Sequence, residues 1–290
     1  MTTTSFRLLM LVALAFAATP LTPARAAQDH DGCTGYIETL PASIGTQGTW
    51  CLRSHLYTSQ ASGAAISVLT DNVTIDCGHF RLSGYGAGVA TNAIGITTGA
   101  SRLNATVRRC RIQGFKYGVV MYGANHLIED NRFDGNRFVG IHASGDHPVI
   151  RNNAVMNTGG RPDEEVAFAI NANAVGARVS GNTVHGVLPT GNGFGERYPR
   201  GIFAAGLIED NHVSGLEKGG NGHAWGIIGT GRSVIRRNTI VQATATVGIG
   251  IAGGGAFSAC RDNDIVNFEN GIATETCALA GNNMFLAGVF

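Results

Sequence analysis

Three stretches of this 290-residue chain concentrate side chains able to do chemistry on a polar substrate. The first holds Arg161, Asp163, Glu164 and Glu165. The second runs from His185 to Glu196, Arg197, Tyr198 and Arg200, and the third holds Glu217, Lys218 and His223. Guanidinium forks grip carboxylates, and tyrosine rings cover sugar faces, so such a set suits an extended acidic glycan rather than a small apolar ligand. β-Elimination or epimerisation of a uronate needs a neutraliser (Arg200 or Arg197) and a base for the C5 proton (His142, Lys218 or His223). It also needs an acid for the leaving oxygen, Tyr198 or Tyr122. Hydrolysis instead needs two carboxylates roughly 5–9.5 Å apart, and Glu165 and Glu196 are the pair on offer. The run Asp163-Glu164-Glu165 has a rival use as a Ca²⁺ ligand set. Each of these residues taken singly also fits a solvated loop.

The elements that position them follow from an internal repeat. The pattern V/I/L-x-x-N-x-V/I/F recurs as Ile128-Asn131-Phe133, Ile150-Asn153-Val155, Val179-Asn182-Val184, Ile208-Asn211-Val213, Ile235-Asn238-Ile240 and, at the end, Leu279-Asn282-Met284. Cys110 and Asn263 hold the marked position in two further copies. A second short apolar stretch opened by glycine follows most copies: Gly118-Val119, Gly140-Ile141, Gly201-Ile202, Gly226-Ile227, Gly248-Ile249 and Gly271-Ile272. A unit of about twenty residues with no helix cannot bury its own apolar face and must stack on its neighbours. The fold class is therefore all-β: a right-handed parallel β-helix solenoid of about nine to ten coils. It is expected over residues 61–290, behind an N-terminal cap region at 27–60. Repeated asparagines at one position form a column whose amides satisfy the bend and each other.

In this register the three chemical stretches are loop insertions in consecutive coils at one corner, making a continuous wall. Counting by twos from the inward isoleucine places Tyr122, His142, Ser144, Asn171, Asn173 and Phe203 outward beside it. Substrate contacts are expected from Tyr122, Asn171, Asn173, Arg197, Tyr198, Phe203 and Lys218. Catalytic roles are expected among His142, Glu165, Glu196, Arg200 and His223. Two further columns alternate in charge, Arg108, Glu129, Arg151 with Glu209, Arg236, and Arg109, Asp130 with Asp210, Arg237. Such alternation favours cross-strand pairing over an arginine-lined groove.

Residues 1–26 read as a cleavable secretory signal: Arg7, an apolar run Leu8–Ala18, then Ala24-Arg25-Ala26. That run is too short to span a bilayer, so a periplasmic or extracellular protein without a membrane span is expected. Six cysteines in an exported chain point to disulfides, and proximity pairs them Cys33–Cys51, Cys77–Cys110 and Cys260–Cys277. No C-x₂-C pair or closely spaced Cys/His set suggests a metal site, and no cofactor is expected. With a formal net charge of +1 and only 14% charged residues, no basic field exists for nucleic acid. Nothing in the sequence sets the oligomeric state.

The stretch from Gly48-Thr49-Trp50-Cys51-Leu52 through Asn72-Val73-Thr74-Ile75-Asp76-Cys77-Gly78-His79 and Leu82-Ser83-Gly84 resembles the opening coils of exported pectin-lyase-like β-helix proteins. The resemblance spans roughly residues 45–285. It implies the fold, and its members include lyases, hydrolases, epimerases and non-enzymatic proteins. The N-T-D, D-D and G-H-G strings of polygalacturonase-like hydrolases, the R-x-P-x-x-R of pectate lyases and the D-P-H-D of alginate epimerases do not occur here. Three readings stay open: a polysaccharide lyase, epimerase or hydrolase, a non-catalytic glycan-binding or surface protein, and a periplasmic accessory protein.

Overall fold

The computed structural model describes residues 32–162, 164–191, 195–273 and 275–289. The segment 1–26, expected to be a leader, and Asp163 lie outside the described residues. The chain winds as a parallel β-solenoid of about nine turns, with one 3₁₀ turn at Tyr85–Ala87 as the only helical element among them. Each full turn contributes one strand to each of three parallel sheets.

Sheet I contains Val73–Asp76, Thr106–Arg108, Leu127–Glu129 and Val149–Arg151, continued by residues 178–180, 207–209 and 234–236. Sheet II contains Arg81–Ser83, Arg111–Gln113, Arg132–Asp134, Ala154–Gly159, Thr183–Leu188 and His212–Leu216. Sheet III contains Ala64–Val68, Ile94–Thr98, Tyr117–Ala124 and Val139–Asp146, continued by residues 166–172, 198–205 and 224–228.

The core is three apolar ladders, one per sheet. In sheet III, Ile96, Val119, Ile141, Ile170, Ile202, Ile227 and Ile251 stack in register, all fully buried. Sheet I supplies Val107, Ile128, Ile150, Val179, Ile208 and Ile235, and sheet II supplies Ile112, Phe133, Val155, Val184, Val213 and Ile240. Strands buried on one face and closed into a coil explain why the apolar repeat survives while loop lengths vary.

The turn from sheet I to sheet II is two residues long. Its first residue takes a left-handed conformation, with φ between 52° and 56° at Arg109, Asp130, Asn152, Asp210, Arg237 and Asp262. Its second is the buried asparagine. Each amide donates to a sheet I carbonyl of the preceding coil and to the next asparagine, as when Asn182 Nδ2 bonds Ile150 O at 2.9 Å and Asn211 Oδ1 at 3.0 Å. Cys110 heads the column, its N–H donating to Asn131 Oδ1.

Three expectations shift. The glycine-opened pair that stacks on Gly226-Ile227 is Gly250-Ile251, not Gly248-Ile249, because Ile249 pairs with Trp225. The asparagine column ends in Asn283, not Asn282: Asn283 Oδ1 accepts from Asn263, while Asn282 takes the left-handed position with φ 54°. Ala280, paired with Cys260, holds the slot that the sequence suggested for Leu279. Stacking also begins earlier than residue 61. Gly35–Ile37 pairs with Gly48–Leu52, which pairs with Val73–Asp76, and Leu56–Tyr57 pairs with Arg81–Ser83. These first coils carry neither the asparagine nor the glycine-opened strand, so the repeat did not show them.

The three disulfides Cys33–Cys51, Cys77–Cys110 and Cys260–Cys277 are present, with Cα–Cα distances of 5.9, 4.7 and 5.8 Å. They tie the first coils and the last, where terminal strands lack a neighbour on one side. Among the described residues no helix is long and apolar enough to cross a membrane.

Candidate functional site

A column of glycines sets the outer face of sheet III. Gly95, Gly118, Gly140, Gly201, Gly226 and Gly250 precede the buried ladder residue and are themselves buried or hemmed in. A Cβ on Gly118 would lie 2.5 Å from Gly140 O and 2.7 Å from Phe133, so this coil has no room for a side chain there, while buried Ala169 takes the same place in the coil after Gly140. Two successive residues thus face the interior, and alternation restarts on either side of them. Most residues two before the ladder position, Tyr117, Phe168, Arg200 and Trp225, consequently turn half outward, contrary to a strict count by twos, while Val139 stays buried.

That break creates a row of rings. Tyr117, Phe138, Phe168 and Phe203 follow one another along the solenoid axis at centroid separations of 5.6, 6.3 and 5.9 Å. Counting by twos forward from the inward residue reaches only Phe203; counted backward it turns Phe138 outward, three before Ile141, but Tyr117 and Phe168 inward. The missed signal was the glycine itself, which marks where the period slips. Lys116 Nζ stands 5.6 Å from the Tyr117 centroid and 5.5 Å from that of Phe138, and Arg200 Cζ stands 5.0 Å from that of Phe168. Cations over ring faces keep the row charged as well as apolar.

His142 lies beside the row. It is in register with Asn171, which is in register with Phe203, and its ring meets those of Tyr117 at 6.2 Å and Tyr122 at 6.0 Å edge-on. Tyr122 is 43% exposed. The His142 Nδ1 atom is buried and has no hydrogen-bond partner among the described residues. Burial holds its pKa below the usual imidazole range, so the ring is neutral at pH 7. Arg200 Nε is likewise buried without a partner. Asn173 Oδ1 accepts from Thr230 Oγ1 at 2.6 Å.

The loop insertions do stack. Gly191 N–H donates to Glu164 O, Tyr198 N–H to Glu165 O, and Arg197 N–H to Gly219 O at 3.1, 2.7 and 3.0 Å. Within this wall Tyr198 is hydrogen-bonded to Glu196, and removal from water, with the charges of Glu196 and Glu165, raises its hydroxyl pKa. Glu165, Glu196 and Tyr198 therefore form one group, in register with the row through Val166 and Phe168, which pair with Tyr198 and Arg200.

Other wall residues point elsewhere. Arg161 pairs with Glu164 at 3.4 Å and reaches back to the Ala90 and Thr91 carbonyls and to Asn92 Oδ1, which makes it a strap rather than a ligand group. Of the proposed Ca²⁺ set, Glu164 is committed to that strap. Lys218 Nζ folds onto Gly220 O of its own loop at 3.1 Å. The Arg197 guanidinium lies against Gly219. His223 is exposed ahead of the strand Ala224–Arg236. His185 belongs to sheet II, where its Nδ1 meets Ser214 Oγ at 3.0 Å, away from the wall.

The charged columns of sheet I are paired, as their alternation suggested. Glu209, only 2% exposed, takes Arg178, Arg236 and Arg237 at 2.8 Å each. Arg237 also grips Asp210. Buried Asp76 takes Arg108 at 2.8 Å, and Arg109.

The coil geometry agrees with the family comparison: the family described as right handed beta helix region matches residues 53–204 and 92–285. The chain belongs to this β-helix family. No curated protein and no solved structure matches it. Within this β-helix, sheet III with its wall is the face that combines rings, a neutral histidine, amides and carboxylates.

Proposed function

We propose that this is an exported β-helix protein, residues 1–26 being its leader, which binds an extended uronate-containing polysaccharide along sheet III. The observation that carries this reading is the row Tyr117, Phe138, Phe168, Phe203, which runs along the axis as a polymer would. Stacked rings suit successive sugar faces, Asn171 and Tyr122 suit hydroxyls, and Lys116 and Arg200 suit the carboxylates. Three disulfides suit an oxidising compartment outside the cytoplasm.

A second reading, β-elimination or epimerisation, is favoured by His142. Its neutral imidazole with an unoccupied Nδ1 has the protonation state a base needs, and Tyr117 and Tyr122 flank it as proton donors. Hydrolysis would instead use Glu165 and Glu196, which gather at Tyr198. Affinity electrophoresis through pectate, alginate and a neutral glucan tests the binding reading. The wild type should be retarded by an acidic polymer, and the Phe168→Ala, Phe203→Ala variant should be retarded less. Retardation by none of them would end it. Ultraviolet absorbance at the unsaturated uronide band then separates a lyase from a binder.

A further inference from the structure

A different face of the solenoid carries an arginine ladder with no acidic partners to match. On the outer side of sheet II, Arg81, Arg111 and Arg132 stand in direct register on three consecutive coils. Parallel neighbours lie about 4.8 Å apart, and like charges directly opposite one another are destabilising. In sheet I every comparable arginine of these coils has a carboxylate: Arg108 and Arg109 share Asp76. In sheet II only Arg132 has one, Asp134 of its own strand at 3.0 Å. Arg81 and Arg111 form no salt bridge among the described residues.

The ladder borders a shaped site. A crevice of about 130 Å³ lies between the three arginines, Gln113 and Asp134. Gln113 is shared with an apolar-walled groove of about 450 Å³ bounded by Tyr57, Thr58, Ser83 and Tyr85. Tyr57 is 61% and Tyr85 42% exposed. Tyr85 is held in place: it lies over Gly114 and Gly135, where a Cβ would overlap it, and its hydroxyl donates to Asp134 O. Arg137 Cζ covers its ring at 5.2 Å. A fixed tyrosine, a second exposed tyrosine and three aligned guanidiniums one coil apart suit a chain of rings that carries an anionic group on each.

We infer that sheet II bears a second binding site, for a linear acidic polysaccharide, with Arg81, Arg111 and Arg132 pairing its successive anionic groups and Tyr57 and Tyr85 packing its rings. The site lies outside the sheet III row and stands or falls separately from it. Its anionic groups can be carboxylates or sulfates, since guanidinium forks take either.

Fluorescence anisotropy with labelled polygalacturonate and labelled heparin oligosaccharides, at low and high salt, tests this. The double variant Arg81→Gln, Arg111→Gln should weaken binding of at least one probe by about tenfold or more at low salt, because charge-assisted contacts are lost. Its melting temperature should be equal or higher, since like-charge repulsion is relieved. The Arg81→Lys, Arg111→Lys variant, which keeps the charge, should retain part of the affinity. The Phe168→Ala, Phe203→Ala variant should keep the component that depends on Arg81 and Arg111. Unchanged affinity in the folded glutamine variant, or no binding of either probe by the wild type, would overturn the inference. Preference between the probes distinguishes carboxylate from sulfate.

Discussion

Asn211 donates from Nδ2 to Asn238 Oδ1 at 3.0 Å, although 27 residues separate them in the chain. The same amide also reaches Val179 O, and its own oxygen accepts from Asn182 N and Nδ2. One side chain thus satisfies bend groups on both neighbouring coils. Replacing it by leucine leaves several buried donors and acceptors without partners, each costing about 1–3 kcal/mol. Asn211→Leu should therefore lower stability by roughly 3 kcal/mol or more, whereas Leu at exposed Asn221 should change little. Thermal melts of the two variants check this, and equal midpoints would remove the ladder as a stabilising device.

Gly118 faces Gly140 O, and the added methyl of Gly118→Ala must displace backbone rather than a flexible side chain. Overpacking of this kind costs about 1–3 kcal/mol. Gly45 is the control, because a Cβ added there would meet nothing within 4 Å. Denaturant midpoints should fall for Gly118→Ala and hold for Gly45→Ala.

Contacts that repeat from coil to coil could be read from the sequence, and contacts that occur once could not. The asparagine column and the glycine-opened strand recur at fixed offsets because each coil sees nearly the same neighbours, so fold, disulfides and charge pairing followed from spacing. The doublet Asn282-Asn283 was ambiguous, because at the last coil Leu279, Met284 and Phe285 are all exposed and apolarity no longer marks the inward side. Tyr117 and Phe168 escaped because the glycine column breaks the two-residue alternation, and Phe138, three before Ile141, because the outward count ran only forward from the inward residue. Where Arg161, Lys218 and Arg197 point was hidden altogether, since loop conformation is set by contacts that do not repeat.

Glu209 should govern part of the acid sensitivity. Burial alone would raise its pKa, but hydrogen bonds and charge from Arg236, Arg237 and Arg178 outweigh it and hold the carboxyl below the usual range. A carboxylate depressed in the folded state contributes stability above the unfolded pKa of about 4.3 and loses it as pH falls through the lower folded value. Glu209→Gln should be less stable than the wild type at pH 7 by roughly 2 kcal/mol, under the range for a fully buried pair because the three guanidiniums are 41–58% exposed. The gap should narrow below about pH 4. Parallel urea titrations at both pH values measure it.

Histidine titration has the opposite charge but the same slope. Burial lowers the pKa of His142 and of His126, so the unfolded chain binds more protons below about pH 6.5 and stability falls as pH drops. His142→Gln should flatten the stability profile between about pH 7 and 5 without abolishing it, the remainder belonging to His126. An unchanged profile would mean that His142 does not titrate from a buried, unpartnered state.

Whether sheet III is the glycan face can be read most directly from Trp225. It is half-buried and in register with Arg200, and the chain has only one other tryptophan, Trp50. In a Trp50→Phe variant, tryptophan emission reports on this face alone. Titration with the acidic polymer that retards the wild type should give a saturable emission change, and adding Phe168→Ala and Phe203→Ala should abolish it. Retardation with no response from Trp225, or a response that survives loss of both rings, would mean that the polymer does not lie along sheet III.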